Sequence, residues 1–330
     1  MNNTYPMHAV ANYLTELNAA IGAAWNRFWF TPSSARLPAI LRIATGLLAL
    51  YSIATYGADL NIWFGEEGML PQALMNELYR RPDQWLSLRS LLDYLPDSAI
   101  WPFYWASLAV IALFTVGIGG RITAIASTVA VISFFARAPV LTGEFESVLV
   151  MLLVYLCIAR TSDALSISRL LKKHAATPTT APSPIPHSAF PISHSPFNTI
   201  SIRLIQLHIA LIHLMMGYAQ LAAPENAWWS GEGVWLAAAR PGMSLVDLSS
   251  LADHPRLVAA WSHAITIYLL AFPVLVWKPL ARPLLLAIGG LVWLCFAIAS
   301  GWIMFCLAML TGIAAFFGRS SFPASATVAR

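Results

Sequence analysis

Charge is what this chain has least of. Asp, Glu, Lys and Arg make up 10% of its 330 residues, while 58% are hydrophobic. A soluble domain carries about 25% charged residues. The shortfall excludes an ordinary water-soluble body and points to a bilayer as the solvent. Cysteine is scarce as well. Cys157, Cys295 and Cys306 all lie inside apolar runs, with no C-x-x-C pair and no His at ligand spacing. They read as small buried hydrophobes, not as a disulfide framework or a metal site. His174, His187 and His194 are too weak a signal to carry a metal. No basic run is interleaved with aromatics, which excludes a nucleic-acid surface. Walker, G-x-G-x-x-G and H-E-x-x-H patterns are missing. The first 36 residues also lack the continuous apolar core and cleavage site of a signal peptide.

What is present is apolar and aromatic. Thirteen Trp, sixteen Phe and ten Tyr suit the aromatic belts of a membrane protein. A spanning helix needs about 20 mostly apolar residues. Candidate spans run from about Leu37 to Tyr56, Ile100 to Ile118, Ile122 to Phe135, a short Ser147 to Ala159, Ile202 to Ala222, and Leu257 to Trp277. A last apolar run, Pro283 to Phe317, is too long for one span and is expected to split near Ser300-Gly301. The expected fold is all-α, a polytopic transmembrane bundle of about eight helices.

The organisation follows. Residues 1–36 read as an amphipathic interfacial segment, with Val10, Leu14, Leu17, Ile21, Trp25 and Phe28 at helical spacing. Residues 37–160 hold helices one to four, with a long outer loop at 57–99. Residues 161–199 form a linker, first basic, then Pro/Ser/Thr/His-rich from Ala175 to Phe197. That tract cannot bury a core and is expected to be disordered. Residues 200–318 hold helices five to eight, with an outer loop at 223–256, and 319–330 form a tail. With both termini in the cytoplasm, twelve Lys and Arg fall inside and six outside, with Arg42 left within the first helix. All three lysines fall inside. The positive-inside rule therefore favours a multi-pass protein of the cell (inner) membrane with both ends cytoplasmic.

Polar residues within spans are candidates for function, because hydrocarbon penalises them. The fifth helix carries Gln206, His213 and Gln220, each seven residues apart and so on one face. Ala210 and Gly217 share that stripe, while His208 lies off it. Such a stripe suits either a hydrogen-bonded helix interface or a narrow cavity. Arg42 either snorkels to the inner headgroups or forms a buried ion pair. Glu144 and Glu146 stand at the outer mouth of the fourth helix, and His263 lies near the outer end of the sixth. Together with Trp228 and Trp229 these residues point to an outward-facing pocket. The expected pocket residues are Gln206, His213, Gln220, Glu144, Trp228 and Trp229. The acid–base candidates are His213, His263 and Glu146.

Several segments taken together resemble the HTTM (horizontally transferred transmembrane domain) family, related to vitamin K-dependent gamma-carboxylase. The first helix reads Leu41-Arg42-Ile43-Ala44-Thr45-Gly46-Leu47-Leu48, similar to that family's Arg-x-x-x-Gly-Leu-Leu signature. The first outer loop carries Gly68-Met69-Leu70-Pro71. The fifth helix and its exit read Gly217-Tyr218-Ala219-Gln220-Leu221, then Trp228-Trp229-Ser230-Gly231. The sixth ends Ala271-Phe272-Pro273-Val274-Leu275-Val276-Trp277, then Arg282-Pro283. The resemblance implies a bundle of the carboxylase membrane-domain type. In the founding enzyme, oxidation of vitamin K hydroquinone generates the base that removes a glutamate γ-proton before carbon dioxide adds.

Departures from the pattern matter. Gln220 stands where the carboxylases place a catalytic lysine, and an amide cannot deprotonate a hydroquinone. Tyr268-Leu269-Leu270 offers no acid where the family often has Glu, and Trp293 stands where it often has His. The expectation is an HTTM-type membrane protein without carboxylase activity. It would bind a lipophilic small molecule, a quinone or a lipid, or a partner protein. An active carboxylase-like or oxidoreductase enzyme is the alternative, and a transporter the third.

Overall fold

The computed structural model describes residues 5–79, 90–168, 170, 194–223, 228–239 and 246–318. Most of the tract expected to be disordered therefore lies outside the described residues. So do Lys172, Lys173, His174, His187, Arg80, Arg81, Arg89, Arg240 and the tail 319–330.

Twelve α-helices are laid out along the described chain: α1 (Tyr5–Phe30), α2 (Arg36–Thr55), α3 (Leu60–Phe64), α4 (Gln72–Tyr79), α5 (Ile100–Val116), α6 (Gly120–Arg137), α7 (Glu144–Leu156), α8 (Pro196–Leu221), α9 (Gly233–Ala238), α10 (Pro255–Leu275), α11 (Arg282–Ser300) and α12 (Ile303–Ala314). Strand pairing among the described residues is confined to β1 (Ser33–Ser34) with β2 (His194–Ser195), antiparallel. The chain is an all-α bundle, and six stretches are long and apolar enough to cross a membrane: Arg36–Phe64, Asp97–Val116, Gly120–Arg137, Pro196–Leu221, Pro255–Leu275 and Arg282–Ser300.

The other two expected spans differ in kind. α7 has 13 residues, and α12 has 12 with a 3-10 turn carrying it to Phe317. A helix rises about 1.5 Å per residue, so neither covers the roughly 30 Å of a hydrocarbon core. They pack on each other and on α2. A turn at Gly301 separates α12 from α11, where Trp302 N donates to Ser300 Oγ at 3.3 Å. The bundle thus has a loop end, with residues 57–79, 90–99, 228–239 and 246–254, and a linker end, with the β-pair and the turn after α7.

Local sequence explains the contacts that matter most. α8 starts with Pro196 behind Ser195, whose Oγ accepts from Phe197 N at 3.3 Å, the usual proline-after-cap arrangement. It buries Asn198, Ile202, Ile205, Gln206, Ile209, His213, Gly217 and Gln220 along one face, spaced by three or four residues as a packed helix requires. Gly46 lets α2 cross α5 closely. A Cβ there would fall 2.2 Å from Thr115 Oγ1, so the small residue sets the helix separation. α1 is a contrast: its side chains from residue 12 to 27 are exposed, including Leu14, Leu17, Ile21 and Trp25. Its end docks, with the Arg203 guanidinium 4.4 Å over the Phe28 ring and Phe28 beside Trp277.

Candidate functional site

The first buried charge lies at the linker end. Arg42 is fully buried, so it does not snorkel to the headgroups. Its Nε donates to Thr115 O at 3.3 Å, Nη1 to Thr161 O at 2.6 Å and Ala164 O at 3.5 Å, and Nη2 to Leu165 O at 2.5 Å. No carboxylate pairs with it among the described residues. The guanidinium is instead held by carbonyl dipoles, which its fork of five N–H groups can reach. Thr115 sits in the last turn of α5, where carbonyls lack helical partners and the helix dipole favours a cation. Gly117 closes that helix at φ +81°, with Ile118 N on Leu113 O and Gly117 N on Phe114 O, the paired bonds of a Schellman ending. A Cβ on Gly117 would lie 2.6 Å from Arg42 Nη1. The glycine is needed for its φ and for the approach of the arginine.

A second buried arginine lies where the sequence marks only an outer-loop charge. Arg137, the last residue of α6, has its side chain 4% exposed and its Nε 3.7 Å from Asp93 Oδ1. Nη1 donates to Leu70 O at 2.9 Å and Nη2 to Phe64 O at 3.3 Å. Asp93 Oδ2 also accepts from Ser90 N, and Ser90 Oγ donates to Ser133 O. Here the Gly68-Met69-Leu70-Pro71 motif has a physical use. Its turn, with Met69 N on Ile62 O at 2.7 Å, presents the Leu70 carbonyl to Arg137. The first long loop is thereby fastened to the bundle.

The polar stripe of α8 is divided among three roles. Gln206 accepts from Arg203 Nη1 at 2.9 Å and donates from Nε2 to Ala315 O at 2.8 Å, tying α8 to the end of α12. Gln220 Oε1 accepts from Thr266 Oγ1 at 2.8 Å, tying α8 to α10. His208, off the stripe, meets Tyr155 OH through Nδ1 at 2.9 Å. His213, at the centre, is fully buried. Its Nδ1 lies 2.7 Å from Ile209 O. Its ring stacks on Phe272 at 4.2 Å and 21°, and meets Tyr268 and Trp293 edge-on at 5.7 and 5.6 Å. His213 Nε2 has no hydrogen-bond partner among the described residues, whereas the buried Tyr268 OH and Trp293 Nε1 interact with each other. Leaving a buried polar atom unpaired costs about 1–3 kcal/mol.

At the loop end, a cavity of about 720 Å³ opens between α2, α7 and α12. Leu47 and Tyr51 of α2 form one wall, Phe305 and Leu307 of α12 another, and Glu144 and Glu146 stand where α7 begins. Glu146 Oε2 accepts from Gly143 N at 2.7 Å, which steadies the carboxylate at the helix start. Of the expected pocket residues, Glu144 lines this cavity, whereas Gln206, His213, Gln220, Trp228 and Trp229 do not. Trp228 covers Gly233, and Trp229 gives its carbonyl to His263 Nε2 at 2.9 Å and its ring to the imidazole edge at 5.4 Å. Beside them Ser262 Oγ accepts from Val234 N and donates to Gly231 O, holding the second loop on α10. No hydrogen bond or ring contact joins any two of His213, His263 and Glu146 among the described residues. Nor do three His, Cys, Asp or Glu side chains gather there as a metal site. No protein-family model, curated protein or solved structure matches the chain.

Proposed function

We propose that the protein is a multi-pass membrane protein that binds a lipid-like small molecule in the cavity at its loop end. The carrying observation is the cavity itself. Its volume of about 720 Å³ falls within the roughly 300–1,000 Å³ of small-molecule sites. Leu47, Phe305 and Leu307 supply apolar wall, and Tyr51 flanks them. Glu144 and Glu146 offer acceptors at the mouth. Such a lining suits a molecule with a hydrocarbon body and a hydrogen-bond-donating head. A lipid or a reduced quinone meets that description, and a partner segment would enter by the same opening.

The reading places the loop end at the outer surface and both termini in the cytoplasm, following the bias of Lys and Arg between loops. It extends the resemblance to HTTM proteins without the carboxylase chemistry. Gln220, in the lysine position of that resemblance, is occupied with Thr266. The separate placement of His213, His263 and Glu146 gives an acid–base enzyme no shared cavity, which favours binding over the enzymatic alternative.

The experiment is extraction of the purified full-length protein with organic solvent and mass spectrometry of what co-purifies. A discrete lipophile is expected with the wild type and is expected to be lost from Leu307→Trp, which fills the cavity from an exposed position on α12. Equal retention by that variant would overturn the reading.

A further inference from the structure

A cluster of cations at the linker end carries an inference that does not rest on the cavity. Arg203 lies seven residues into α8, about 10 Å from the helix start at Pro196. In a spanning helix that depth is near the border between headgroups and hydrocarbon. The side chain is held in place. Nε donates to Phe28 O at 3.3 Å, Nη1 donates to Gln206 Oε1 at 2.9 Å, and the guanidinium covers the Phe28 ring. Nη2 makes no hydrogen bond among the described residues. Phe28 in turn meets Trp277, whose Nε1 donates to Pro273 O at 2.9 Å. Trp277 opens the turn from α10 to α11, and that turn brings Lys278 and Arg282 to the same end. Arg282 Nε donates to Val276 O at 3.0 Å, and its charge acts on that of Arg203.

The segments that supply these cations supply no carboxylate side chain. From Pro255 to Arg330 the sequence has no Asp or Glu, and from Ala164 to Pro224 it has none either. α1 holds one acid, Glu16, which is about 18 Å along the helix from Phe28. Asp163 sits in the turn that Arg42 grips through Thr161 O and Ala164 O. The surface beside the cations is apolar. Val274, Leu275, Leu280 and Leu284 are all exposed, Leu280 by 93%. A soluble anion has no use for that surface, whereas hydrocarbon chains cover it.

We propose that Arg203, Arg282 and Lys278 hold the phosphate of an anionic phospholipid whose acyl chains lie along α10 and α11. A guanidinium offers paired N–H donors that match the two free oxygens of a phosphate diester. Basic positions between helices at a membrane surface take anionic headgroups in this way. Phe28 and Trp277 form an aromatic floor beside the headgroup. The missing carboxylates select the lipid. A zwitterionic lipid brings an ammonium group together with its phosphate. The cation-bearing segments have no Asp or Glu to receive it, and Lys278 repels it. An anionic lipid brings the phosphate without that cost.

The test is native mass spectrometry of the full-length protein released from a neutral detergent, with dioleoylphosphatidylglycerol and dioleoylphosphatidylcholine added in competition. The wild type is expected to retain phosphatidylglycerol in preference. That preference is expected to fall about fivefold in Arg282→Gln and about fivefold again in Arg203→Gln/Arg282→Gln, the worth of one basic residue at an anionic surface. Lys278→Gln alters an exposed turn and carries the test if the arginine variants do not fold, with a fall of about fivefold again expected. Equal retention of the two lipids by the wild type would overturn the proposal. So would an equal fall in Arg160→Gln, an exposed arginine after α7 at the same end, because the attraction would then be diffuse. Displacement of phosphatidylglycerol by inorganic phosphate would assign the cations to a soluble anion and overturn it as well.

Discussion

Arg42 and Arg137 occupy opposite ends of the bundle and solve one problem in two ways. Each is a guanidinium taken almost wholly out of solvent. At the linker end Arg42 has four carbonyls and, among the described residues, no acid. At the loop end Arg137 has two carbonyls and Asp93. The difference lies in what is fastened. Arg42 gathers the end of α5 and the turn after α7, which offer carbonyls that helices leave unpaired. Arg137 holds a loop, where a side-chain anion can be placed wherever the chain bends. A buried arginine therefore does not imply a buried acid, and only the second site is a salt bridge.

The largest expected effect is at Arg42. Arg42→Leu leaves four carbonyls without their donor, and the expected loss is on the order of 3–5 kcal/mol, the size seen when one side of a buried charged cluster is removed. It should appear as the largest drop in apparent melting temperature of the purified protein in detergent. Arg42→Lys should recover only part, because one ammonium with three donors cannot reproduce the fork.

Arg137→Leu comes next, at about 3 kcal/mol, because it takes the guanidinium away from the buried Asp93 carboxylate and from the Leu70 and Phe64 carbonyls. Here the comparison can be broken. Asp93→Asn added to Arg137→Leu should be less damaging than Arg137→Leu alone, since the buried negative charge is gone. A double variant that melts lower than the arginine variant would show that the carbonyl bonds, not the ion pair, carry the loop end, and that the two arginines do the same thing. No acid substitution can rescue Arg42→Leu in this way.

How much of this could be read from the sequence depends on what each feature required. Apolar runs betray spans, because every residue in hydrocarbon reports its own hydropathy. The shortness of α7 is visible in Ser147 to Ala159 for the same reason. What the two short helices create is not visible, since the cavity depends on which residues of α2, α7 and α12 face one another in space. Arg42 stood out as a charge in a span, but snorkelling and ion pairing were the readings at hand. Its real partners are carbonyls, which every residue has and no sequence pattern marks. Arg137 looked like a loop charge. A signal existed in Gly68-Met69-Leu70-Pro71, a tight turn beside a long loop, yet nothing in it names the residue that grips Leu70 O. On α8 the seven-residue spacing put Gln206, His213 and Gln220 on one face. Which neighbours they met was a matter of helix order around the bundle.

Gly117→Ala sharpens the linker end without touching the arginine. The substitution forces a side chain into the left-handed region and sets a Cβ 2.6 Å from Arg42 Nη1. The expected loss is about 2 kcal/mol. Combined with Arg42→Leu, which removes the guanidinium from the clash but leaves Ser166 Cβ at 2.6 Å, it should cost less than the sum of the two. Simple addition would mean that Gly117 matters for its own backbone and for the space beside Ser166, not for the approach of the arginine.

Gln220→Leu is the smallest effect and the control for the others. Gln220 is buried and hydrogen-bonded like the arginines, but it is neutral and has one side-chain partner, Thr266, at 2.8 Å. Removing it leaves the Thr266 hydroxyl with its second acceptor, Ser262 O, at 3.1 Å. No buried donor is stranded, so the expected loss is about 1 kcal/mol or less. The lipophile recovered from the protein should not change, because Gln220 does not line the cavity. A melting temperature as low as that of Arg42→Leu would refute the view that charge and the number of stranded partners set the cost of a buried polar group here. Loss of the lipophile would instead connect the α8 stripe to the cavity and move the binding site toward α10.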